Sequence, residues 1–310
     1  MREIARSLVS RRAALGRAME AYDLVVDIGE GDSFATIYGR KRFAQFAGSK
    51  LLARRIGLPL IVGPQTLGPW EGRTGRRLAK RVLNGAASVW ARDSASVERA
   101  MSVGVRPRVG TDLVFALPRD TAQKEDGLIL LNVSGLLWKP NSHVDSDHYR
   151  KVVHAVLSMA RDAGKKVELL PHVIAPGTGE DDLKVCTLLA RQHGLQVAPH
   201  RDLLAVRGRI AQAELVVGAR MHACLNALSQ GVACIPLAYS DKFRALFEDI
   251  RYTDVVVDLR SASAVSDAAG RFGRATDLVP MAAAAAAVGV ARIDEFRDAV
   301  SATLKEMTRA

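Results

Sequence analysis

In the segment Leu215-Val-Val-Gly-Ala-Arg-Met-His222, an arginine and a histidine stand two residues apart, directly after an apolar run. An apolar run that passes into a helical pattern predicts a buried strand and a turn. Arg220 and His222 then fall beside outward-pointing amides of a helix N-terminus, which favour an anion. Arginine supplies a rigid fork for a carboxylate or phosphate, and a histidine next to it can give or take a proton near neutral pH. Other polar residues stand after apolar runs. Arg92 lies in Trp90-Ala-Arg-Asp-Ser-Ala-Ser96, with Asp93 or Ser94 placed to cap the next helix; a structural Arg–Asp pair is the alternative there. His172 follows Leu170-Pro, with Asp181 and Asp182 downstream, at a spacing that matches no standard metal-ligand pattern, so no metal is expected. Tyr239 and Lys242 follow another strand-like run, and Lys242 would add a cation.

Two glycine-bearing stretches complete the candidates. Asp27-Ile-Gly-Glu-Gly-Asp-Ser-Phe34 allows close backbone approach at Gly29 and Gly31, as an anion or sugar nest or simply as a tight turn. Gly63-Pro-Gln-Thr-Leu-Gly-Pro69 reads as a stiff loop after a strand, with Gln65 and Thr66 as its polar tips. Arg73, Arg76, Arg77, Lys80 and Arg81 recur at helical spacing on one face. That face suits anionic lipid or is an ordinary solvated surface. Aromatic residues are 5% of the chain and do not interleave with the basic ones, so no nucleic-acid partner is expected.

The elements that must position these groups alternate. Strand-like runs at 24–28, 58–62, 88–90 and 105–109 are separated by helical stretches, and a polar, turn-rich segment follows at 118–127. A second series has strands at 128–133, 167–170, 215–217 and 234–237, with helices at 148–163, 180–193, 203–213 and 222–230. Gly164, Gly194 and Gly231 stand just past helix ends, where a left-handed cap is easiest. The pattern predicts an α/β fold of two doubly wound Rossmann-like domains facing a cleft, at 1–120 and 127–275, plus a C-terminal helix at 281–309. The 310 residues carry a net charge of +11, with 21 basic and 11 acidic residues in 1–120 and 23 and 22 in the remainder. The positive field therefore belongs to the N-terminal part. Three cysteines exclude a disulfide scaffold. No apolar run is read as a membrane span, and residues 1–23 read as an amphipathic helix rather than a signal peptide, so a cytoplasmic location is expected.

Taken in order, Gly-x-Gly at 29–31, Gly-Pro-Gln-x-x-Gly-Pro at 63–69, Arg-Asp-x-x-Ser at 92–96, Thr-Asp-Leu-Val-Phe at 111–115, Pro-His…Asp-Asp at 171–182 and Val-Gly-x-Arg-x-His-Ala with Tyr-x-x-Lys at 217–242 resemble the polysaccharide pyruvyl transferase family. The resemblance implies a GT-B-like fold. It implies phosphoenolpyruvate as donor substrate, no cofactor, and a sugar of a cell-surface polysaccharide or its lipid-linked precursor as acceptor, with pyruvate ending as a cyclic ketal. It places Arg220 and His222 on the donor-binding Arg-x-His and Arg92 on the other donor arginine. Catalysis is then expected from His222, Arg220 and Arg92, and substrate contacts from Gly29, Gly31, Gln65, Thr66, His172, Tyr239 and Lys242. The family usually opens with a strand and a Gly/Asn-rich loop, whereas this chain opens with a helix; the expectation is either a truncated start or an N-terminal domain, the acceptor side, that lacks its first strand. The competing readings are a nucleotide-sugar glycosyltransferase of GT-B type and an inactive binding member of a polysaccharide assembly pathway.

Overall fold

The computed structural model describes residues 14–29 and 34–309. Gly31, and most of the helix expected over residues 1–23, lie outside the described residues; Ala14–Met19 is the described part of that helix. The chain divides into two compact units, 1–113 with 291–310 and 114–290.

In the first unit, β1 (Val25–Asp27), β2 (Leu60–Gln65), β3 (Ser88–Ala91) and β4 (Arg108–Val109) form a parallel sheet in the order β1-β2-β3-β4. The helices Arg40–Arg55, Gly72–Leu83 and Ser94–Met101 make the crossovers that parallel pairing requires. One core cluster gathers Phe34, Phe43, Leu60, Val62, Leu67, Trp70, Val82 and Leu83. A second cluster holds Ile61 and Trp90 against Phe296 of the long helix Leu278–Arg309, with the Trp90 and Phe296 rings edge to face at 5.4 Å. The sequence places a loop from Gly63 onward. Instead β2 runs on through Gly63-Pro64 to Gln65, and a register shift between Val62 and Gln65 absorbs one extra residue on β2. Every residue of β2 is buried.

The second unit carries β5 (Leu128–Asn132), β6 (Lys166–Leu169), β7 (Gln196–Val197), β8 (Leu215–Gly218), β9 (Ala233–Ala238) and β10 (Val257–Asp258). All pair in parallel, in the spatial order β7-β6-β5-β8-β9-β10. This is the doubly wound order whose direction reverses between β5 and β8, and ligands of such sheets bind at the carboxyl ends of the strands at that reversal. The polar segment 118–127 does not mark the division between the units. It is tied to the second one: Arg207 Nη2 donates to the Pro118 carbonyl at 2.9 Å and Glu125 N to the Gln212 carbonyl at 2.8 Å. The alanine-rich helix passes the division, with Ala282, Ala285 and Ala286 buried before it and Ile293 and Phe296 after it. Contrary to the reading of the apolar runs, the stretch Ala275–Met307 is long and apolar enough to cross a membrane by length and composition; a third of its most apolar window, 33%, is buried within the protein. Gly164, Gly194 and Gly231 all adopt positive φ at 64°, 66° and 73°.

Candidate active site

Arg220 occupies the N-cap position of the helix Met221–Ser229, which begins as β8 ends. Its backbone amide donates to Asn132 Oδ1 at 2.8 Å, joining the ends of β8 and β5 at the reversal point. The guanidinium turns to Asp182, the first residue of the helix Asp182–His193. Nη2 donates to Asp182 Oδ1 at 2.9 Å and to the Glu180 carbonyl at 2.8 Å, and Nε lies 3.2 and 3.3 Å from the two carboxylate oxygens. Nη1 makes no hydrogen bond to any described residue, although the residue is only 9% exposed. Burial alone would lower the guanidinium's pKa, but the hydrogen bond and charge of Asp182, with Tyr239 and Glu180 contributing, outweigh it and raise the value. Arg220 is thus a permanent cation with one edge left for an anion.

Asp182 is fully buried and acts as a hub. Besides Arg220 it accepts from Gly135 N at 2.8 Å, Val173 N at 3.0 Å, His172 N at 3.3 Å and Asn132 Nδ2 at 3.4 Å. Gly135 has to be glycine here, because a Cβ would stand 2.4 Å from the Asp181 carbonyl oxygen.

His172 Nε2 is 3.3 Å from Asn226 Nδ2. Asn226 also donates to the His222 carbonyl at 2.8 Å, while its Oδ1 accepts from Arg207 at 2.8 Å. With Oδ1 taken by a guanidinium, Asn226 presents its NH2 to the imidazole, so Nε2 of His172 is the acceptor and the ring proton sits on Nδ1. Burial, the neighbouring His222 and Arg220 push the His172 pKa down to about 4, against an opposing pull from Asp182. His222 itself is exposed, in the first turn of its helix. Tyr239 packs edge to face against His143 and Phe243 at 5.3 and 5.5 Å. Lys242 opens the helix Asp241–Asp249 after β9, the strand beside β8. The second unit therefore gathers Arg220, His222 and His172, with Tyr239 close enough to act on Arg220's charge. Asn132, Asp182 and Asn226 were not singled out as site residues from the sequence; the signal for Asn132 is a polar residue closing the apolar run Leu-Ile-Leu-Leu.

The other candidates belong to the first unit. Gln65 and Thr66 are not exposed tips; both are buried, Gln65 as the last residue of β2 and Thr66 directly after it. Thr66 Oγ1 accepts from Arg92 Nη2 at 2.6 Å, and Asp112 accepts from Nη1 at 3.1 Å. Arg92 is 2% exposed, so it takes the geometry of the structural Arg–Asp pair, with Nε buried and without a hydrogen-bond partner. Asp93 caps the next helix through the Ser96 amide at 2.7 Å. Gln65 Nε2 donates to the Asp27 carbonyl at 3.0 Å and reaches its Oδ1 at 3.3 Å. Gly29 has φ +56°, and a Cβ there would meet Gln65 Oε1 at 1.9 Å, so its glycine is demanded by both conformation and space.

Parallel sheets with this strand order and a charged cluster at the reversal point define a GT-B-like fold, and solved structures agree. The chain is similar to a putative UDP-N-acetylglucosamine 2-epimerase from Listeria monocytogenes, with a TM-score of 0.64, 14% identity and coverage of 98% of this chain and 80% of that one. HepE of Anabaena in complex with UDP and glucose gives 0.56, 12%, 97% and 80%. UGT73P12 of Glycyrrhiza uralensis, complexed with glycyrrhetinic acid 3-O-monoglucuronide, gives 0.55, 10%, 95% and 76%. The family model for polysaccharide pyruvyl transferase matches residues 2–241. The chain belongs to the polysaccharide pyruvyl transferase family and is a transferase of polysaccharide biosynthesis.

Proposed function

We propose that the protein moves pyruvate from phosphoenolpyruvate to a sugar of a cell-surface polysaccharide or its lipid-linked precursor, forming a ketal. The observation that carries the reading is Arg220: a buried guanidinium fixed by Asp182 and the Glu180 carbonyl, with Nη1 making no hydrogen bond to a described residue and its charge acting on the His172 imidazole. Phosphoenolpyruvate presents a carboxylate and a phosphate, and a fixed fork at a helix N-terminus suits either group. Protonating its methylene carbon makes the adjacent carbon electrophilic, and sugar hydroxyls add there as phosphate leaves. His222, exposed at the helix start, is the proton donor in this scheme. His172, neutral with its proton on Nδ1, is a hydrogen-bond donor to substrate. Arg92 has both Nη atoms committed to Asp112 and Thr66, so donor binding falls to Arg220 first. The test is phosphate release from phosphoenolpyruvate, which is expected to depend on an added acceptor oligosaccharide. No release, together with a melting temperature raised by a nucleotide-sugar and not by phosphoenolpyruvate, would favour the nucleotide-sugar glycosyltransferase that the UDP-bound structural neighbour suggests.

In this reading the acceptor is lipid-linked and the enzyme works on the cytoplasmic face of a membrane. Arg73, Arg76, Arg77, Lys80 and Arg81 are all exposed on the helix Gly72–Leu83, while Ala79, Val82 and Leu83 are buried beneath them. Arg76 is anchored on the Ser102 carbonyl at 3.0 Å. Replacing Arg73, Arg77 and Lys80 together by Gln is expected to weaken binding to anionic liposomes by about 100-fold, at about 1 kcal/mol per charge. Turnover on a soluble acceptor should stay at the wild-type level. Liposome co-sedimentation measures the first effect and phosphate release the second; unchanged sedimentation would leave the face an ordinary solvated one.

A further inference from the structure

One buried cation of the second unit hydrogen-bonds only neutral partners. Arg207, in the helix Leu203–Gln212, is 3% exposed. Its Nη1 donates to Asn226 Oδ1 at 2.8 Å and to Ser229 Oγ at 2.9 Å, and its Nη2 to the Pro118 carbonyl at 2.9 Å. Burial lowers the guanidinium's pKa, and the charge of Asp120, an exposed residue, offsets that only in part. A buried charge without a bonded counter-charge is costly, and apolar side chains join two helices without that penalty. The contact that apolar packing cannot replace is the one to Asn226, because only a donor can hold an amide oxygen.

Asn226 is itself 3% exposed, in the helix Met221–Ser229 that begins at Arg220. Its amide is fixed from both ends. Arg207 can only donate and the His222 backbone carbonyl can only accept, each at 2.8 Å, so the oxygen faces Arg207 and the NH2 faces the other way. The remaining N–H meets His172 Nε2 at 3.3 Å. An imidazole that accepts at Nε2 carries its proton on Nδ1, and Nδ1 makes no hydrogen bond to a described residue. His172 lies just past β6, and its backbone amide rests on Asp182, the carboxylate that also holds Arg220. The titratable and charged groups that act on the ring are His222, Asp182 and Arg220. They set how readily the ring takes a second proton; Asn226 selects which nitrogen carries the first.

We propose that Asn226, locked by the buried Arg207, is a positioning residue of the donor site: it holds the His172 proton on Nδ1, where the ring donates to an anionic oxygen of the donor. The proposal rests on the pyruvyl-transfer reading. Phosphoenolpyruvate offers only acceptors at its carboxylate and phosphate, so the opposite tautomer would turn a lone pair toward it and repel it. With the tautomer fixed, Arg220 supplies charge and His172 a neutral hydrogen bond to the same class of ligand, a carboxylate or phosphate oxygen. The two imidazoles then hold different tasks. His172 keeps its proton in place, and His222, exposed at the helix start, is the one that can exchange a proton.

The experiment reads the ring and the ligand separately. In ligand-free wild-type protein at neutral pH, nitrogen NMR of labelled histidine is expected to show the His172 proton on Nδ1, the signals being assigned by their loss in His172→Leu. Asn226→Asp keeps an oxygen for Arg207 but gives the ring an acceptor, so the proton is expected to move to Nε2. The Kd of this variant for phosphoenolpyruvate, from calorimetric titration, should rise about 10-fold or more, the range of one hydrogen bond to a charged group. A carboxylate could also repel the donor directly, so the substitution is repeated in His172→Leu protein. There, with no ring to reverse, it is expected to change the Kd less than about threefold. A wild-type ring protonated on Nε2 overturns the proposal. So does an equal effect of Asn226→Asp in both backgrounds, because charge or packing would then act without the ring. Wild-type protein that binds no phosphoenolpyruvate overturns the pyruvyl-transfer reading and this proposal with it. Equal binding by the wild type and by Asn226→Asp overturns this proposal alone.

Discussion

Arg220→Lys is expected to fold normally and to lose phosphoenolpyruvate binding by about 10- to 150-fold. The estimate follows from one charge-assisted hydrogen bond, worth about 1.5–3 kcal/mol. Lysine keeps a positive charge near Asp182, so the buried carboxylate is not stranded. It cannot at once hold Asp182, hold the Glu180 carbonyl and present a further donor as the guanidinium does through Nη2, Nε and Nη1. Arg220→Ala is a poorer probe. It leaves Asp182, with no exposed surface, without its cation, and breaking a buried pair from one side costs about 3–5 kcal/mol. The cost spreads further, because the partner of Arg220 is a hub that also accepts from the Gly135 and Val173 amides. Calorimetric titration with phosphoenolpyruvate, together with thermal melting, separates the two effects. A lysine variant that binds the donor like wild type would remove Arg220 from the donor site.

How much of this was legible in the residues depends on how local the signal is. Arg220 and His222 were, because strand, turn and helix are consecutive and the residue types stand within one turn. The long strands were also legible, since buried parallel strands read as unbroken apolar runs. The pairs Gln196–Val197 and Val257–Asp258 are strands of two residues, too short to show any periodicity. The Gly-Pro pair at 63–64 hid the end of β2, because proline normally argues against a central strand; the register shift is what accommodates it. The polar hub was out of reach for a different reason. Asn132, Asp182 and Arg220 come from three separate crossovers, and only the closed sheet shows that one carboxylate serves them all. Lys50 reads as a surface lysine on a basic helix. Its burial depends on Phe34 and Phe46 closing over it, which sequence periodicity does not report.

The two imidazoles of the site are expected to behave oppositely when each is replaced. His172 is held neutral down to about pH 4, so it has no proton to give at neutral pH, and in the proposed scheme the proton falls to His222. His222→Asn keeps a polar side chain on an exposed position and should change stability little, while turnover drops by about 100-fold or more, the usual contribution of a general acid. The fall in rate toward alkaline pH, which marks loss of a required proton, should vanish with it. His172→Asn should keep that alkaline fall and change a different observable. Because the folded-state value lies below the unfolded value of 6.5, the unfolded chain binds the extra proton between about pH 6.5 and 4. The stability that His172 contributes as a neutral ring is complete above that window and is lost as pH falls through it. Denaturant midpoints should therefore drop less steeply between pH 6.5 and 4 in His172→Asn than in wild type. If His222→Asn retains both its rate and its alkaline fall, the proton comes from elsewhere. If His172→Asn leaves the acid slope of stability unchanged, the imidazole is not held neutral, and either residue could then supply the proton.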